Sequence, residues 1–328
     1  MEELLPFERI QRRVLVKKES ETNWDYGQNP EKRSVEELIN YGIINLNKFS
    51  GPTSHQISDY VQKILNIDKS GHSGTLDPNV TGVLPIALGK ATRIVQTLLK
   101  SGKEYVCLMH LHKQVDEELI KKTFKEFLGK IRQLPPIKSA VKRQLRTREI
   151  YYLNILEIQD KDVLFKIGCE AGTYIRKICF DFGKKLEVGA QMTELVRTKA
   201  GPFTDKTWHS LHDLKDAYHL YKNKNNEDEI RKIILPIEKA VEHLPKIWVL
   251  DSAVSTLCHG ADLSVPGIKK YNNFNENETI AILTLKNELI CLGNGLVNHE
   301  FIKDNDKGKV IKTTKVFMDR SLYPKNSL

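Results

Sequence analysis

Gly71–Arg93 reads GHSGTLDPNVTGVLPIALGKATR, and it sets Gly71, Gly74, Gly82 and Gly89 around a single Leu76-Asp77-Pro78 step. Glycine permits backbone conformations closed to other residues and lets another group approach the chain closely. Pro78 locks its own φ and biases Asp77 away from helical geometry. Two phosphate-binding readings fail on spacing. Gly89-Lys90 is followed by Ala91 and has no glycine five positions earlier, as a P-loop requires, and the glycines do not fall in the dinucleotide pattern. Two readings remain open. Asp77 caps a helix with Pro78 in its first turn, or it is a carboxylate held on a stiff, shaped loop beside His72, Ser73 and Thr75.

Outward from this loop, apolar spacing alternates between strand and helix. Residues 1–35 are polar, with Pro6 and Asn29-Pro30, and read as an irregular arm. Tyr41–Leu46 reads as a strand ending in a turn cluster, Asn47 to Pro52. Ser54 is placed to cap a helix carrying Ile57, Val61, Ile64 and Leu65. Val83–Leu88 is a second strand, and Ile94, Val95, Leu98 and Leu99 mark a helix that stops at Ser101-Gly102. Lys103–Leu111 is a buried strand bearing Tyr105. Asp116 opens a helix with Leu119, Ile120, Phe124, Phe127 and Leu128 on one face, halted at Gly129. After Gln133-Leu134-Pro135-Pro136 comes a basic run, then strands at Ile150–Ile158 and around Val163, Phe165 and Ile167. Gly172-Thr173 opens a helix with Ile175, Ile178, Cys179 and Phe182. Residues 221–231 are poor in apolar side chains and read as a surface loop or linker. Beyond Lys246, short apolar runs separated by Gly, Asn and Asp predict a small β-rich domain of about 80 residues. The fold class is α+β, without regular βαβ repeats.

Composition narrows the class of protein. The 328 residues are 40% hydrophobic and 28% charged, which suits a folded chain rather than a disordered one. The excess of 51 Lys+Arg over 42 Asp+Glu draws polyanions, but charge alone fits an ordinary basic enzyme equally well. No stretch approaches the roughly 20 apolar residues of a membrane span, and no apolar run near the start reads as a secretory signal. Five cysteines stand singly, at 107, 169, 179, 258 and 291, with no paired metal spacing. These features lead us to expect a reducing intracellular compartment, no membrane contact and no metal.

An ionised carboxylate at the centre of a site needs a cation to aim it. Arg176, early in its helix, can fork onto Asp77; equally, it can be a solvated surface arginine. Tyr105 can stack on a base or serve as a core tyrosine. Lys142, Arg143 and Arg146 sit in KSAVKRQLRTR, directly after the proline pair, and read either as a polyanion contact or as a solvated face.

Taken together, these segments resemble the TruB-type RNA pseudouridine synthases. The resemblance runs through Gly71–Arg93, Lys103-Glu104-Tyr105, PPIKSAVKRQLRTREIY (Pro135–Tyr151) and GTYIRKICFDFGKKLEVGAQMTELVRTKAG (Gly172–Gly201). HGADLSVPGI (His259–Ile268) and KTTKVFMDRSLYP (Lys312–Pro324) resemble a PUA RNA-binding domain. The long arm, the form of the 135–148 segment and the short Leu111–Asp116 connection are similar to the dyskerin branch, the catalytic subunit of H/ACA guide-RNA particles. The missing lysine-rich tail is closer to its compact archaeal form. Ile178-Cys179 departs from the family's usual aliphatic pair.

The resemblance implies an arm over 1–35 that packs on the PUA domain, a catalytic domain over 36–245 with a central, mostly antiparallel mixed sheet flanked by helices, and a PUA barrel over 246–324. It makes Asp77 the nucleophile, Arg176 its ion-pair partner and Tyr105 the base-stacking residue. His72 helps hold a flipped-out nucleotide, Tyr174 lines the pocket and Leu195 walls the uracil. No cofactor is implied. The implied partners are guide and substrate RNA, a small peptide-like subunit, a β-barrel subunit and a kink-turn-binding protein held through the RNA. The implied location is cytoplasmic in a prokaryote and nucleolar in a eukaryote. Two rival functions stay open, a guide-independent tRNA enzyme and a non-catalytic RNA scaffold.

Overall fold

The computed structural model describes residues 3–135 and 144–324. Its strands are β1 (Val14–Val16), β2 (Gly42–Lys48), β3 (Ser70–His72), β4 (Thr81–Leu88), β5 (Lys103–Leu111), β6 (Gly129–Gln133), β7 (Arg146–Gln159), β8 (Asp162–Cys169), β9 (Ala190–Ala200), β10 (Phe203–Thr204), β11 (Ile234–Pro236), β12 (Lys246–Val249), β13 (Leu263–Ser264), β14 (Ile268–Asn272), β15 (Thr279–Leu283), β16 (Leu289–Gly295) and β17 (Lys309–Val316). The helices are α1 (Val35–Tyr41), α2 (Ser54–Leu65), α3 (Val95–Lys100), α4 (Glu117–Lys125), α5 (Ile175–Lys185), α6 (Leu211–Lys224), α7 (Asp228–Ile233), α8 (Asp251–Cys258) and α9 (Glu300–Asp304).

Two mixed sheets organise the chain. The larger runs β11-β2-β4-β9-β5-β8-β7-β6, with β3 paired to β4 and β10 to β9. Its pairings are antiparallel except β4 with β9, which joins Thr81 to Val196 and Gly82 to Arg197. The smaller runs β1-β14-β12-β15-β16-β17-β13, with β12 and β15 parallel. The main core packs α2, α4, α5 and α6 on the large sheet. On α4, Ile120 and Phe124 are buried, and Phe124 meets the rings of Phe165 and Phe182. Leu119, expected on the same face, is 47% exposed. A second core, with Val83 and Phe203 from one sheet, Ile94 from the helical turn that follows β4, and Trp248, Leu283 and Leu289 from the other sheet, joins the two units.

Several elements differ from the sequence reading. Residues 221–231 are largely helical: α6 continues to Lys224, Asn225 takes the left-handed cap conformation, and α7 begins at Asp228. Tyr221 and Ile230 are buried, so two apolar residues anchor a segment whose composition looks like a loop. Residue 41 ends a helix rather than starting a strand. The sequence reading also missed β9, whose Gln191, Thr193, Glu194 and Lys199 mask a strand flanked on both sides. The β-rich unit carries two helices of its own, α8 and α9.

The N-terminal segment spans both sheets. Leu5 is fully buried, Glu3 meets Lys166 at 2.6 Å, and Glu8 meets Lys199 at 3.1 Å behind the large sheet. β1 then adds antiparallel to β14 of the small sheet. Farther on, Arg33 forks onto Glu238 at 2.7 and 2.9 Å, and Glu238 also accepts from the Leu289 backbone at 2.9 Å. That largely buried carboxylate therefore ties the segment to both units. Truncating one partner of such a pair strands the other charge. Glu238→Ala should lower the unfolding free energy by about 3–5 kcal/mol in a urea titration. A loss under about 1 kcal/mol would show that the joint contributes as little as an exposed pair.

Candidate active site

The glycine-rich loop is held from below by two buried cations. Lys48, at the end of β2, is fully buried, and its Nζ donates to the carbonyls of Phe49 at 2.9 Å, Pro78 at 2.8 Å and Val80 at 2.8 Å. Gly51 N–H also donates to the Pro78 carbonyl, at 3.0 Å. A helix starting at Asp77 would need those carbonyls for its own N–H groups. They are already engaged, so the chain makes a turn, with Val80 N–H donating to the Asp77 carbonyl at 3.0 Å and Pro78 in its second position. The helix-cap reading of Asp77-Pro78 is thereby set aside. Burial lowers the Lys48 pKa, and the neighbouring Asp77 carboxylate opposes that shift.

Ser54 does not cap α2. The cap is Thr53, in a reciprocal box with Gln56. The Ser54 hydroxyl is instead buried against the loop, accepting from Leu76 N–H at 2.9 Å and donating to the Leu76 carbonyl at 3.2 Å. The residue before Asp77 is thus clamped at both backbone groups.

Arg197 is the second buried cation, at 1% exposure. Its Nε donates to the Val83 carbonyl at 2.7 Å and a terminal nitrogen to the Gly74 carbonyl at 3.3 Å. It stands directly across the sheet from Tyr105 and interacts electrostatically with it. Gly82 has φ +106°, and a Cβ there would lie 2.3 Å from the Arg197 carbonyl, so the parallel approach of β4 and β9 requires glycine. Burial raises the Tyr105 pKa, with Arg197 pulling the other way.

Above this base, the Arg176 guanidinium donates to the Asp77 carboxylate. The two side chains are 58% and 56% exposed, so the pair opens to solvent. Arg176 is the second residue of α5, which starts three residues later than Gly172. Tyr174 occupies the N-cap, half-buried, and the buried Gln133 carboxamide bonds its N–H at 3.0 Å and its carbonyl at 3.1 Å.

The structure draws most of the candidate residues together. Tyr105 on β5 pairs with Arg197 on β9, and Leu195 lies two residues along the same face, 9% exposed, opposite Cys107. His72 ends β3, its ring 4.8 Å from that of His55 in an edge contact; burial chiefly lowers its pKa. Arg146 opens β7 opposite Gln133. Lys142 and Arg143 lie outside the described residues. Sequence reading passed over Lys48, Gln133 and Arg197, and gave Ser54 only the role of a helix cap. Of these, Arg197 left a faint trace, a cation between Val196 and Thr198 in a segment with strand-like alternation.

Comparison with known proteins follows the same division of the chain. Family models described as "TruB family pseudouridylate synthase (N terminal domain)" and "tRNA pseudouridylate synthase B C-terminal domain" match residues 62–175 and 176–242. A "DKCLD (NUC011) domain" matches 4–58 and a "PUA domain" 245–317. The chain is 54% identical over 319 residues to "Probable tRNA pseudouridine synthase B" of Pyrococcus furiosus, covering 96% of this chain and 94% of that one. It is 49% identical to the protein of that name in Methanopyrus kandleri over 322 residues, 98% and 95% of the two chains. Among solved structures, "Structure of H/ACA RNP bound to a substrate RNA containing 2'-deoxyuridine" superposes with a TM-score of 0.92 at 51% identity, covering 98% and 99%. "Crystal Structure of a Cbf5-Nop10-Gar1 Complex" gives 0.93 at 53%, again covering 98% and 99%. With a solvent-open carboxylate–guanidinium pair on the glycine-rich loop and likeness along nearly its whole length, this chain belongs to the TruB family of RNA pseudouridine synthases and carries a PUA domain.

Proposed function

We propose that Asp77 is the nucleophile of this synthase, that Arg176 is its ion-pair partner and aims it, and that Tyr105 stacks on the uracil. The observation that carries this reading is the Arg176–Asp77 pair, the candidate carboxylate meeting its candidate cation at a position open to solvent. Pseudouridine formation breaks the N1–C1′ bond, turns the uracil and joins C5 to C1′. N1 gains a proton and C5 loses one, so atoms balance without an oxidant or reductant. The chemistry asks for an ionised carboxylate, a base taken out of its stack and a pocket that retains the detached uracil. Asp77 attacks C1′ or C6, or removes a sugar proton; all three routes need the same aimed carboxylate. Tyr105 and Leu195, on one sheet face, flank the base through its rotation. Tyr174 lines the entrance and His72 helps to hold the extruded nucleotide.

The chain acts, in this reading, as the catalytic subunit of a guide-RNA particle. Residues 36–245 form its catalytic part, 246–324 grip the guide RNA, and the arm 1–35 packs on that RNA-binding part. The solved relatives support this, since one contains substrate RNA in an H/ACA particle and another is a complex with Nop10 and Gar1. A peptide-like subunit, a β-barrel subunit and a kink-turn-binding protein held through the RNA complete the assembly. None of the described helices is long and apolar enough to cross a membrane. The curated relatives are archaeal, and in a cell without a nucleus such a particle works in the cytoplasm. The name of those relatives favours a second reading, direct modification of tRNA without a guide. Mapping pseudouridine in tRNA treated with the protein, with and without guide RNA, separates the two.

Asp77→Asn should abolish pseudouridine formation while RNA binding persists; activity retained within a few-fold would overturn the assignment. Changing Lys142, Arg143 and Arg146 together to alanine should weaken RNA binding and reduce the slope of log K against log salt by about 2–3. An unchanged slope would move the RNA path elsewhere.

A further inference from the structure

Exposed ion pairs are weak and wander. Arg176 and Asp77 are both more than half exposed, so packing of their own side chains does not aim them. Their aim must come from the backbone beneath each residue. On the Asp77 side, Lys48 and Ser54 hold the loop. On the Arg176 side, the start of α5 has no short capping side chain, because Tyr174 stands in the N-cap position.

Gln133 supplies what that position lacks. It is 3% exposed, at the end of β6. Its Oε1 accepts from Tyr174 N–H at 3.0 Å, and its Nε2 donates to the Tyr174 carbonyl at 3.1 Å. One carboxamide thus reads both backbone groups of one residue, as a neighbouring strand would. An ionised carboxylate of the same shape accepts but cannot donate, and an aliphatic chain does neither. The site therefore selects an amide of this length.

The position of Gln133 in the sheet adds a second consequence. It pairs with Arg146, the first residue of β7. This is the last pair of β6 with β7, and the basic connection follows Gln133 and precedes Arg146 in the sequence. The same residue pairs with β7 on one side and bonds the start of the helix carrying Arg176 on the other.

We propose that Gln133 is a positioning residue for the isomerisation: it holds Tyr174 and Arg176 in register with Asp77 and ties that register to the pairing of β6 with β7. This rests on the reading that Asp77 and Arg176 carry the chemistry. Losing either hydrogen bond lets the first turn of α5 shift. A displacement of about 1 Å at a reacting pair lowers a rate by about 100-fold. Lost binding contacts would instead appear in affinity.

The test uses the full-length protein, assembled with guide RNA and accessory subunits and given a labelled substrate RNA. Gln133→Glu and Gln133→Leu should lower the single-turnover rate constant at saturating RNA by about 10- to 100-fold. RNA affinity should stay close to wild type, and the protein should remain folded at the assay temperature with a lowered thermal unfolding midpoint, because the substituted side chain is 3% exposed. In an Arg176→Lys background, the further loss from Gln133→Glu should be much smaller, because both changes act on one ion pair. A wild-type rate constant, a defect confined to RNA affinity, or losses that multiply in the double variant would each overturn the proposal. If Gln133→Leu does not fold, Gln133→Glu, equal in size and polar, carries the test alone. Asp77→Asn run alongside keeps the two readings apart. An active Asp77→Asn sinks the assignment of the chemistry; an inactive one beside a full-rate Gln133→Glu sinks only the role of Gln133.

Discussion

A buried arginine carrying no carboxylate partner among the described residues is the constraint around which the site is built. Arg197 bonds the Gly74 carbonyl of the loop and the Val83 carbonyl of β4, and faces Tyr105 of β5 across the sheet. Removing a guanidinium from water is costly unless its donors are matched. The two acceptors belong to the loop and to β4, and Arg197 itself to β9, so matching them fixes those elements together. The parallel contact of β4 and β9 brings Arg197 under the loop, and Gly82 is the residue that lets the strands come so close. With Lys48 taking the carbonyls on the other side of the turn, the loop has little freedom left. Asp77, between the clamped Leu76 and Pro78, is left exposed on that loop.

The division between a rigid base and an open top suits a reaction on a macromolecule. An RNA nucleotide must enter from solvent, so the carboxylate and its arginine cannot be enclosed before it arrives. What can be prepared in advance is the backbone beneath them. Ser54 and Gln133 each bond both the N–H and the C=O of one backbone residue, on opposite sides of the ion pair. The site is preorganised through main-chain positions, which the buried Lys48 and Arg197 cations, the Ser54 hydroxyl and the Gln133 carboxamide hold, and Asp77 and Arg176 are left open to solvent.

The smaller sheet is joined to this arrangement as firmly as the site is built. A shared apolar core lies between the sheets, and the N-terminal segment is stitched to both by Leu5, β1 and the Arg33–Glu238 fork. An RNA gripped by the smaller unit would therefore meet the Asp77 loop at a set distance, which is what selecting one uridine within a long chain requires. The joint depends on residues far apart in sequence, with Arg33 and Glu238 separated by 205 positions.

Local patterns in the chain were enough to read much of this. Alternation in 103–111 marked β5 and placed Tyr105 on it, and helical spacing after residue 174 set Arg176 near the start of α5. Turn chemistry at Asp77-Pro78 announced a special loop, because glycine and proline act on φ whatever surrounds them. The resemblance to the family then joined segments that no local rule connects. Tertiary structure alone decided the rest. Whether Asp77-Pro78 starts a helix depended on Lys48, 30 residues away in the chain, taking the carbonyls the helix would need. The residues at 221–231 became helices because Tyr221 and Ile230 found a core to enter, though composition made them look like a linker. Arg197, Ser54 and Gln133 carry polar side chains of ordinary type, and their roles come from what they are buried against. Sequence determines local conformation and apolar periodicity through the residue itself; the partners of a buried polar group exist only once distant segments have packed.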